Sequence, residues 1–215
     1  MDTDVRKAPI GRREQTKQQN RETILAAART VFAERGYGAA TVRDIIRATP
    51  LASGTFYNYF KSKEEIYQAL RDDVALAIRP RLRAERRKAA TVEEFISGSF
   101  RTFFEFVATD TRDVRNLRHA ADSMRVRMDT PEVVAGFEEL REDLETAIAK
   151  GLFVPVDADF LMASIVGVAF EIAERMKNRE MPDPEAAAAF ATALFLGGVR
   201  ALPLMAKSVS DGAKA

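Results

Sequence analysis

The sequence contains no cysteine, no tryptophan and a single histidine, His119. Lack of cysteine excludes disulfides, thiolate metal sites and a thiol nucleophile, and one histidine cannot complete a His/Cys zinc site. The composition is compatible with a reducing, cytoplasmic address. No G-x-x-x-x-G-K phosphate loop, G-x-S-x-G elbow or carboxylate spacing of EF-hand type occurs. Asp157 and Asp159 stand at a helix start, while Glu64-Glu65, Asp72-Asp73 and Glu93-Glu94 read as helix starts and surface charge. No catalytic constellation is left, so neither enzymatic activity nor a metal or cofactor is expected. The segment Met1 to Gln19 is polar without an apolar core, and no secretory leader is expected from it.

What the chain does have is ordinary globular material: 215 residues, 47% hydrophobic and 30% charged, with a formal net charge of +1. That single figure conceals an asymmetry. Residues 1–63 hold 12 Lys/Arg against 6 Asp/Glu, giving +6, whereas residues 64–215 sum to −5. A basic end of this kind suits a polyanion, and a solvated basic tail is the plainer alternative.

Apolar residues recur at helical spacing throughout, and strand-like alternation never persists, so the fold class is all-α with nine helices. A polar lead of 15–20 residues precedes Ile24, Ala28, Val31 and Phe32, whose stripe stops at Gly36, a C′ glycine. Thr41-Val-Arg-Asp44 opens a short second helix as a capping box, and Pro50 ends it by Ala48 or Thr49. A third helix fits Ser53 to Phe60. Ser62-Lys-Glu-Glu65 opens a long fourth helix to about Arg87, in which Pro80 is expected to kink or break the run. The fifth begins at Thr91-Val-Glu-Glu94 and turns Ile96, Phe100, Phe103 and Val107 inward. A sixth fits Asp113 to Arg127. Thr130-Pro131 starts the seventh, with Val134, Phe137, Leu144 and Ile148 inward and Gly151 as its stop. Asp157 and Asp183-Pro184 cap the last two.

Those last two helices, about 157–206, are apolar nearly all round. Phe160 to Phe170 is uncharged, and from Ala186 to Ala206 the only charge is Arg200. The second stretch has the length of a membrane span, but its alanines, Gly197-Gly198, Pro203 and missing aromatic belt favour burial against protein, and no membrane partner is expected. Ala189, Ala193 and Gly197 at i, i+4, i+8 allow close approach of another helix, either from a second copy of the chain or from within it.

The informative segment is 24–63: a helix stopped by Gly36, a capped short helix, a tight turn at Pro50 and a short polar-aromatic helix, which together describe a helix-turn-helix. The runs I-L-A-A-A-R-T-V-F-A-E-R-G-Y-G-A-A-T-V-R-D-I and S-G-T-F-Y-N-Y-F-K-S-K-E-E-I resemble the TetR/AcrR family of bacterial transcriptional regulators. Phe32, Gly36, Thr41, Ile45, Gly54, Thr55, Tyr57, Phe60 and Lys63 fall at the family's spacing. The resemblance implies a TetR-like architecture: an N-terminal DNA-binding domain over 21–63, then an effector-binding and dimerisation domain over 64–208 whose last two helices pair in a homodimer. Residues 1–20 are then a flexible basic arm carrying Arg6, Lys7, Arg12 and Arg13, lying along DNA or serving as a loosely attractive tail. Residues 209–215 form a disordered tail.

The DNA-binding candidates follow from side-chain chemistry and the resemblance together. Ser53, Gly54, Thr55, Tyr57, Asn58 and Tyr59 lie on the helix that enters the major groove, where Asn58 can pair bidentately with adenine and Gly54 admits close backbone approach. Thr41 and Arg43 join a helix N-terminus to a cation, a phosphate-binding combination. Lys63 resembles the family's phosphate-contacting lysine. For Tyr57 and Tyr59, packing on the first helix is the alternative. Thr49-Pro50-Leu51-Ala52 departs from the family's usual A-G-V-S, so the turn must be re-formed, and Ser53 takes the N-cap role or leaves it to Ala52.

For the effector, the resemblance implies a pocket in the C-terminal helices, and Phe100, Phe103, Phe104, Val107, Phe137, Leu140 and Phe170 are its candidate lining, favouring an apolar or amphipathic small molecule. Each also reads as ordinary core. His119 offers a titratable contact. Arg118 and Arg125 could hold an anion, although Asp122 between them suggests a solvated ladder. The expected function is a ligand-responsive repressor that binds a palindromic double-stranded DNA operator as a homodimer. The other class is a helical adaptor that binds proteins without sequence-specific DNA recognition.

Overall fold

A computed structural model describes residues 11–109 and 130–199 of the chain. Among them are eight helices and no strand: α1 (Arg12–Ala39), α2 (Val42–Arg47), α3 (Ser53–Tyr57), α4 (Lys63–Lys88), α5 (Val92–Thr109), α6 (Pro131–Ala149), α7 (Ala158–Lys177) and α8 (Pro184–Val199). The expected sixth helix, with His119, Arg118, Asp122 and Arg125, lies outside the described residues. So do residues 1–10, including Arg6 and Lys7, and residues 200–215.

The chain divides into two compact units: of the described residues, 11–73 and Thr130 fall in the first, the head, and 74–109 and 131–199 in the second, the body. In the head, Ile24, Leu25, Ala28, Val31 and Phe32 of α1 bury with Ile45, Phe56, Phe60, Ile66 and Leu70 in one core. Gly36 ends the regular part of α1 at φ 74°, ψ 152°, a conformation that only glycine adopts without strain, and a further short helical turn reaches Ala39.

The arm expected over residues 1–20 is instead helical from Arg12. A helix already nucleated by its buried part extends at little cost through good helix formers such as the Arg, Gln and Lys found here. Thr16 adds a hydrogen bond to the Arg12 carbonyl at 2.9 Å, and Gln18 one to Glu22 at 3.1 Å.

In the body, Phe95, Ile96, Phe100 and Phe104 of α5 meet Leu140 and Leu144 of α6, Leu161, Ile165 and Ala169 of α7, and Ala188, Ala191 and Phe195 of α8. Val134 is exposed rather than inward, because the buried face of α6 runs through Leu140, Leu144 and Ala147. Pro80 does not break α4. Side chains on either side of it hold α4 to α6: Arg79 binds Glu132 and Glu139, Arg83 reaches Glu139 at 3.3 Å, and Arg86 reaches Asp143 at 2.7 Å. Gly136 makes room for this joint, since a Cβ there would meet Arg79 Cγ at 3.2 Å.

The capping signals act largely as expected. Asp157 accepts from the Phe160 amide at 3.0 Å and Asp183 from the Ala186 amide at 2.9 Å. Gly151, at φ 76°, closes α6 in a Schellman motif, with Leu152 N–H on the Ala147 carbonyl and Gly151 N–H on that of Ile148. At α4 and α5 the capping carboxylate reaches one residue further back than a simple box requires: Glu65 accepts from Lys61 N–H and Glu94 from Ala90 N–H.

Candidate nucleic-acid interface

The α2–α3 region is assembled by short-range hydrogen bonds. Thr41 and Asp44 form a reciprocal capping box: the Asp44 amide donates to Thr41 Oγ1 at 3.2 Å, and the Thr41 amide to Asp44 Oδ2 at 3.0 Å. The Thr41 hydroxyl also donates to Asp44 Oδ2 at 2.6 Å. These bonds, first the side-chain bond from Thr41 and then its amide, hold the Asp44 carboxyl below its usual range, helped by Arg35 at 3.0 Å. The Thr41 hydroxyl is thus engaged within the head. Arg43, one residue into α2, is exposed and has no ion pair among the described residues.

The turn that lacks the family's glycine is closed by Thr49. Its hydroxyl donates to the Ile46 carbonyl at 2.9 Å and accepts from Leu51 N–H at 3.3 Å, bridging the end of α2 to the approach of α3 across Pro50. Proline needs no N–H here, and the hydroxyl supplies the link that the turn requires. Sequence reasoning missed Thr49; a hydroxyl residue directly before the turn proline was the available signal.

Ala52, not Ser53, is the N-cap of α3, with no side-chain bond. Ser53 therefore keeps its hydroxyl outward, and Gly54 beside it is exposed, with no atom within 4 Å of where a Cβ would stand. Nothing inside the protein requires glycine at that position. Thr55 is half-buried, Phe56 is wholly buried, and Tyr57 packs edge-on against Phe56 at 5.7 Å while remaining 50% exposed. Asn58, the C-cap, is exposed. The structure thus brings Ser53, Gly54, Tyr57 and Asn58 together on one outward tip. Tyr59 turns back: it is half-buried, and its hydroxyl accepts from Asn20 Nδ2 at 3.2 Å.

Lys63 is placed differently from the phosphate contact expected of it. Its ammonium donates to the carbonyls of Tyr37, Gly38 and Ala40 at 3.0, 3.4 and 3.2 Å, and lies 4.6 Å from the centroid of the Tyr37 ring. An ammonium has three N–H groups, and each has a carbonyl here. Tyr37 is held from its other end as well, donating to Glu64 at 3.0 Å and packing between Phe32 and Tyr67. Burial alone would raise the Glu64 carboxyl, but bonds from its own amide, Tyr37 and Ser62, with the charge of Lys63, bring it below its usual range. Lys63 is a clamp on the segment between Gly36 and α2.

Of the effector candidates, Phe100, Phe104 and Leu140 are buried, with the first two rings stacked at 5.8 Å. Phe103, Val107, Phe137 and Phe170 are half-buried, and Phe103 meets Phe170 edge-on at 5.5 Å. Two open clefts in the body lie elsewhere. One, about 340 Å³, runs between Glu93, Ser97 and Arg101 of α5 and Ala189, Thr192 and Ala193 of α8; the other, about 500 Å³, lies between Arg81 of α4 and Thr102 and Phe106 of α5. One face of α7 and α8 is exposed and apolar, with Phe160 77%, Phe190 64% and Leu194 53% accessible. Among the described residues no helix is long and apolar enough to cross a membrane.

Comparison with known proteins agrees with this head. Residues 24–70 match the model of bacterial regulatory proteins of the tetR family. Among solved structures, the fatty acid degradation regulator FadR from Bacillus halodurans is 26% identical, with a TM-score of 0.69, covering 91% of this chain and 98% of its own. A TetR transcriptional regulator from Chloroflexus aurantiacus is also 26% identical, with a TM-score of 0.63 over 85% of this chain and 96% of its own. FadR from Bacillus subtilis, solved in complex with stearoyl-CoA, shares the fold at 24% identity, with a TM-score of 0.69 over 83% and 98%. The match to the tetR family of bacterial regulatory proteins thus lies in the helix-turn-helix head, residues 24–70, while over most of its length the chain is similar in fold to solved regulators of that kind.

Proposed function

We propose that this chain is a ligand-responsive repressor that binds a palindromic DNA operator as a homodimer. The observation that carries the reading is the outward tip of α3, where Ser53, Gly54, Tyr57 and Asn58 stand exposed beside a capped α2. A tip of this kind enters the major groove with its first residues nearest the base edges. Asn58 pairs with adenine, a contact worth about 1–3 kcal/mol of discrimination. Tyr57 and Ser53 offer hydroxyls to bases or phosphate, Gly54 lets the backbone come close, and Arg43 meets phosphate at the start of α2. Thr41, Thr55 and Tyr59 position these groups from within the head.

The apolar face of α7 and α8 supports the homodimer. Phe160, Ala163 and Gly167 on α7 and Phe190, Ala193, Leu194 and Gly197 on α8 are exposed, and small residues between large ones let two helix pairs interlock. Two-fold pairing of this face presents two heads to two half-sites. For the effector, the half-buried Phe103, Val107, Phe137 and Phe170 favour an apolar or amphipathic molecule, and the stearoyl-CoA of the Bacillus subtilis FadR complex makes long-chain acyl-CoA the first compound to try.

The test is selection of duplexes from a random pool by the full chain, followed by anisotropy on the enriched sequence with and without stearoyl-CoA. An enriched inverted repeat, bound by two protomers and released by the acyl-CoA, is expected. Enrichment of no duplex would overturn the regulator reading. An inverted repeat bound without release would overturn the acyl-CoA assignment alone.

A further inference from the structure

Residues 12 to 19 of α1 are all exposed, whereas from Ile24 inward the helix is part of the head core. The junction is pinned at two points. Asn20 Nδ2 donates to the Tyr59 hydroxyl at 3.2 Å, and Arg21 pairs with Asp73 at 3.5 Å with its guanidinium 5.9 Å from the Phe60 ring centroid. Beyond these anchors two helical turns project freely, about 12 Å at a rise of roughly 1.5 Å per residue.

Position on the helix decides what those turns can meet. Arg13, Lys17 and Asn20 follow i, i+4, i+7 and so line one face. Asn20 shows where that face looks: toward Tyr59, the residue that follows Asn58 at the end of the α3 tip. The two cations therefore extend outward on the side of α1 that carries the recognition segment. Neither has an ion-pair partner among the described residues; the one acid in the projecting turns, Glu14, lies about 100° round the helix from Arg13 and about 60° from Lys17, and is paired with neither. A fixed pair of cations on the recognition side of a +6 segment is complementary to a polyanionic strand.

We propose that Arg13 and Lys17 form a helical phosphate-contacting surface that engages the DNA backbone beside the stretch met by α3. The inference rests on the DNA-binding reading above and adds to it a second, sequence-independent contact. It also replaces an unstructured arm with a rigid one: the helix sets the spacing of the charges, so they act at fixed positions on the strand.

The experiment uses the full chain and a 40-base-pair duplex selected from a random pool by the wild-type protein, with a scrambled duplex as reference, from 50 to 200 mM salt. R13A/K17A is expected to flatten the slope of log affinity against log salt by about 0.9 per lost phosphate contact, hence about 1.8 per protomer. Over this range the wild type then loses roughly tenfold more affinity per protomer than the variant. The ratio of selected to scrambled affinity stays unchanged, as does the melting temperature, because both side chains are exposed. R13K/K17R retains the wild-type slope. Q18P keeps every charge but interrupts the projecting turns, and is expected to flatten the slope as R13A/K17A does. An unchanged slope in R13A/K17A, or a lost sequence preference, would overturn the proposal; wild-type behaviour in Q18P would overturn the role of the helix. If the wild type enriches no duplex, the DNA-binding reading falls with it, a result separable from the others.

Discussion

Lys63 offers a sharp test, because the two roles open to it predict opposite results in two assays. Replacing it with methionine keeps the aliphatic stem and removes the ammonium. Three charge-assisted bonds to Tyr37, Gly38 and Ala40 are lost, together with the contact to the Tyr37 ring. Each such bond is worth about 1.5–3 kcal/mol when its acceptor is left dry. Lys63 is half-buried and the Gly38 carbonyl bond is exposed, so water replaces much of the loss; the ring contact adds about 0.5–1 kcal/mol. We expect the head to lose ~2 kcal/mol. The sequence supplies its own probe: it has no tryptophan, and its four tyrosines, Tyr37, Tyr57, Tyr59 and Tyr67, all lie in the head. Tyrosine fluorescence during urea unfolding therefore reports the head alone, and the midpoint of Lys63→Met should fall by about 1 M at an m-value of roughly 2 kcal/mol/M. Under conditions where the head stays folded, the salt slope of DNA binding should match the wild type. If the midpoint is unchanged while the slope flattens by about 0.9, Lys63 contacts phosphate and the clamp reasoning is wrong.

Gly54→Ala should leave the urea midpoint unchanged or raise it, since alanine is favoured over glycine in a helix by about 0.5–1 kcal/mol and nothing occupies the space; DNA affinity should nevertheless fall at least tenfold, and wild-type affinity would remove Gly54 from the interface. Phe190→Asp and Leu194→Asp should each yield monomer in sedimentation velocity at micromolar concentration with helix content retained, whereas a dimer in both would place the interface elsewhere. The Asp44 carboxyl, held low first by the Thr41 side-chain bond, contributes to head stability above its unfolded pKa of about 3.9, and that contribution disappears as pH falls through the lower folded value; Asp44→Asn should flatten this part of the acid-unfolding curve read by tyrosine fluorescence, and a curve of unaltered shape would contradict the assignment.

The head was legible because its signals are local. Gly36, the Thr41/Asp44 box and the stop before Pro50 each depend on a few adjacent residues, and each acts in the structure as its residue type dictates. The same holds for Asp157, Asp183 and Gly151 in the body. What escaped the sequence depends on partners distant along the chain. Lys63 and Tyr37 are 26 residues apart, and Asn20 and Tyr59 are 39 apart, so no local pattern announces either pair. Periodicity also gave the face of α5 only to within about a quarter-turn: Phe103 and Val107 are half-buried while Phe104 and Phe106 are buried, because a phenylalanine-rich helix has several apolar stripes and only tertiary packing selects among them, Phe104 joining the core with α7 and α8 and Phe106 lying beside Arg81 of α4. The start of α1 was missed for a different reason: Arg12 to Gln19 has no apolar periodicity, and it is helical only because the buried helix behind it propagates outward.

The joint between α4 and α6 shows why Pro80 is tolerated. Proline inside a helix costs about 3 kcal/mol through a lost hydrogen bond and a clash with the preceding turn, and apolar packing beside it is one-sided: Ala75 and Ile78 are buried, whereas Leu76 and Pro80 itself are exposed. Instead, Arg79, Arg83 and Arg86 bracket the proline and bind four carboxylates spaced along α6. The Glu139 carboxyl is held below its usual range, first by the bond from Arg79 and then by the charges of Arg79, Arg83 and Arg86, against the opposing effect of burial. Such a ladder is a weak source of net stability, since two of its own atoms, Arg79 Nε and Arg83 Nε, are buried without partners. Its strength is register. An apolar face can slide by a fraction of a turn at small cost, but shifting α4 by one residue against α6 would leave three guanidinium groups facing the wrong carboxylates. The sequence thus uses polar pairing where proline has weakened the helix, and apolar packing where the helices are intact.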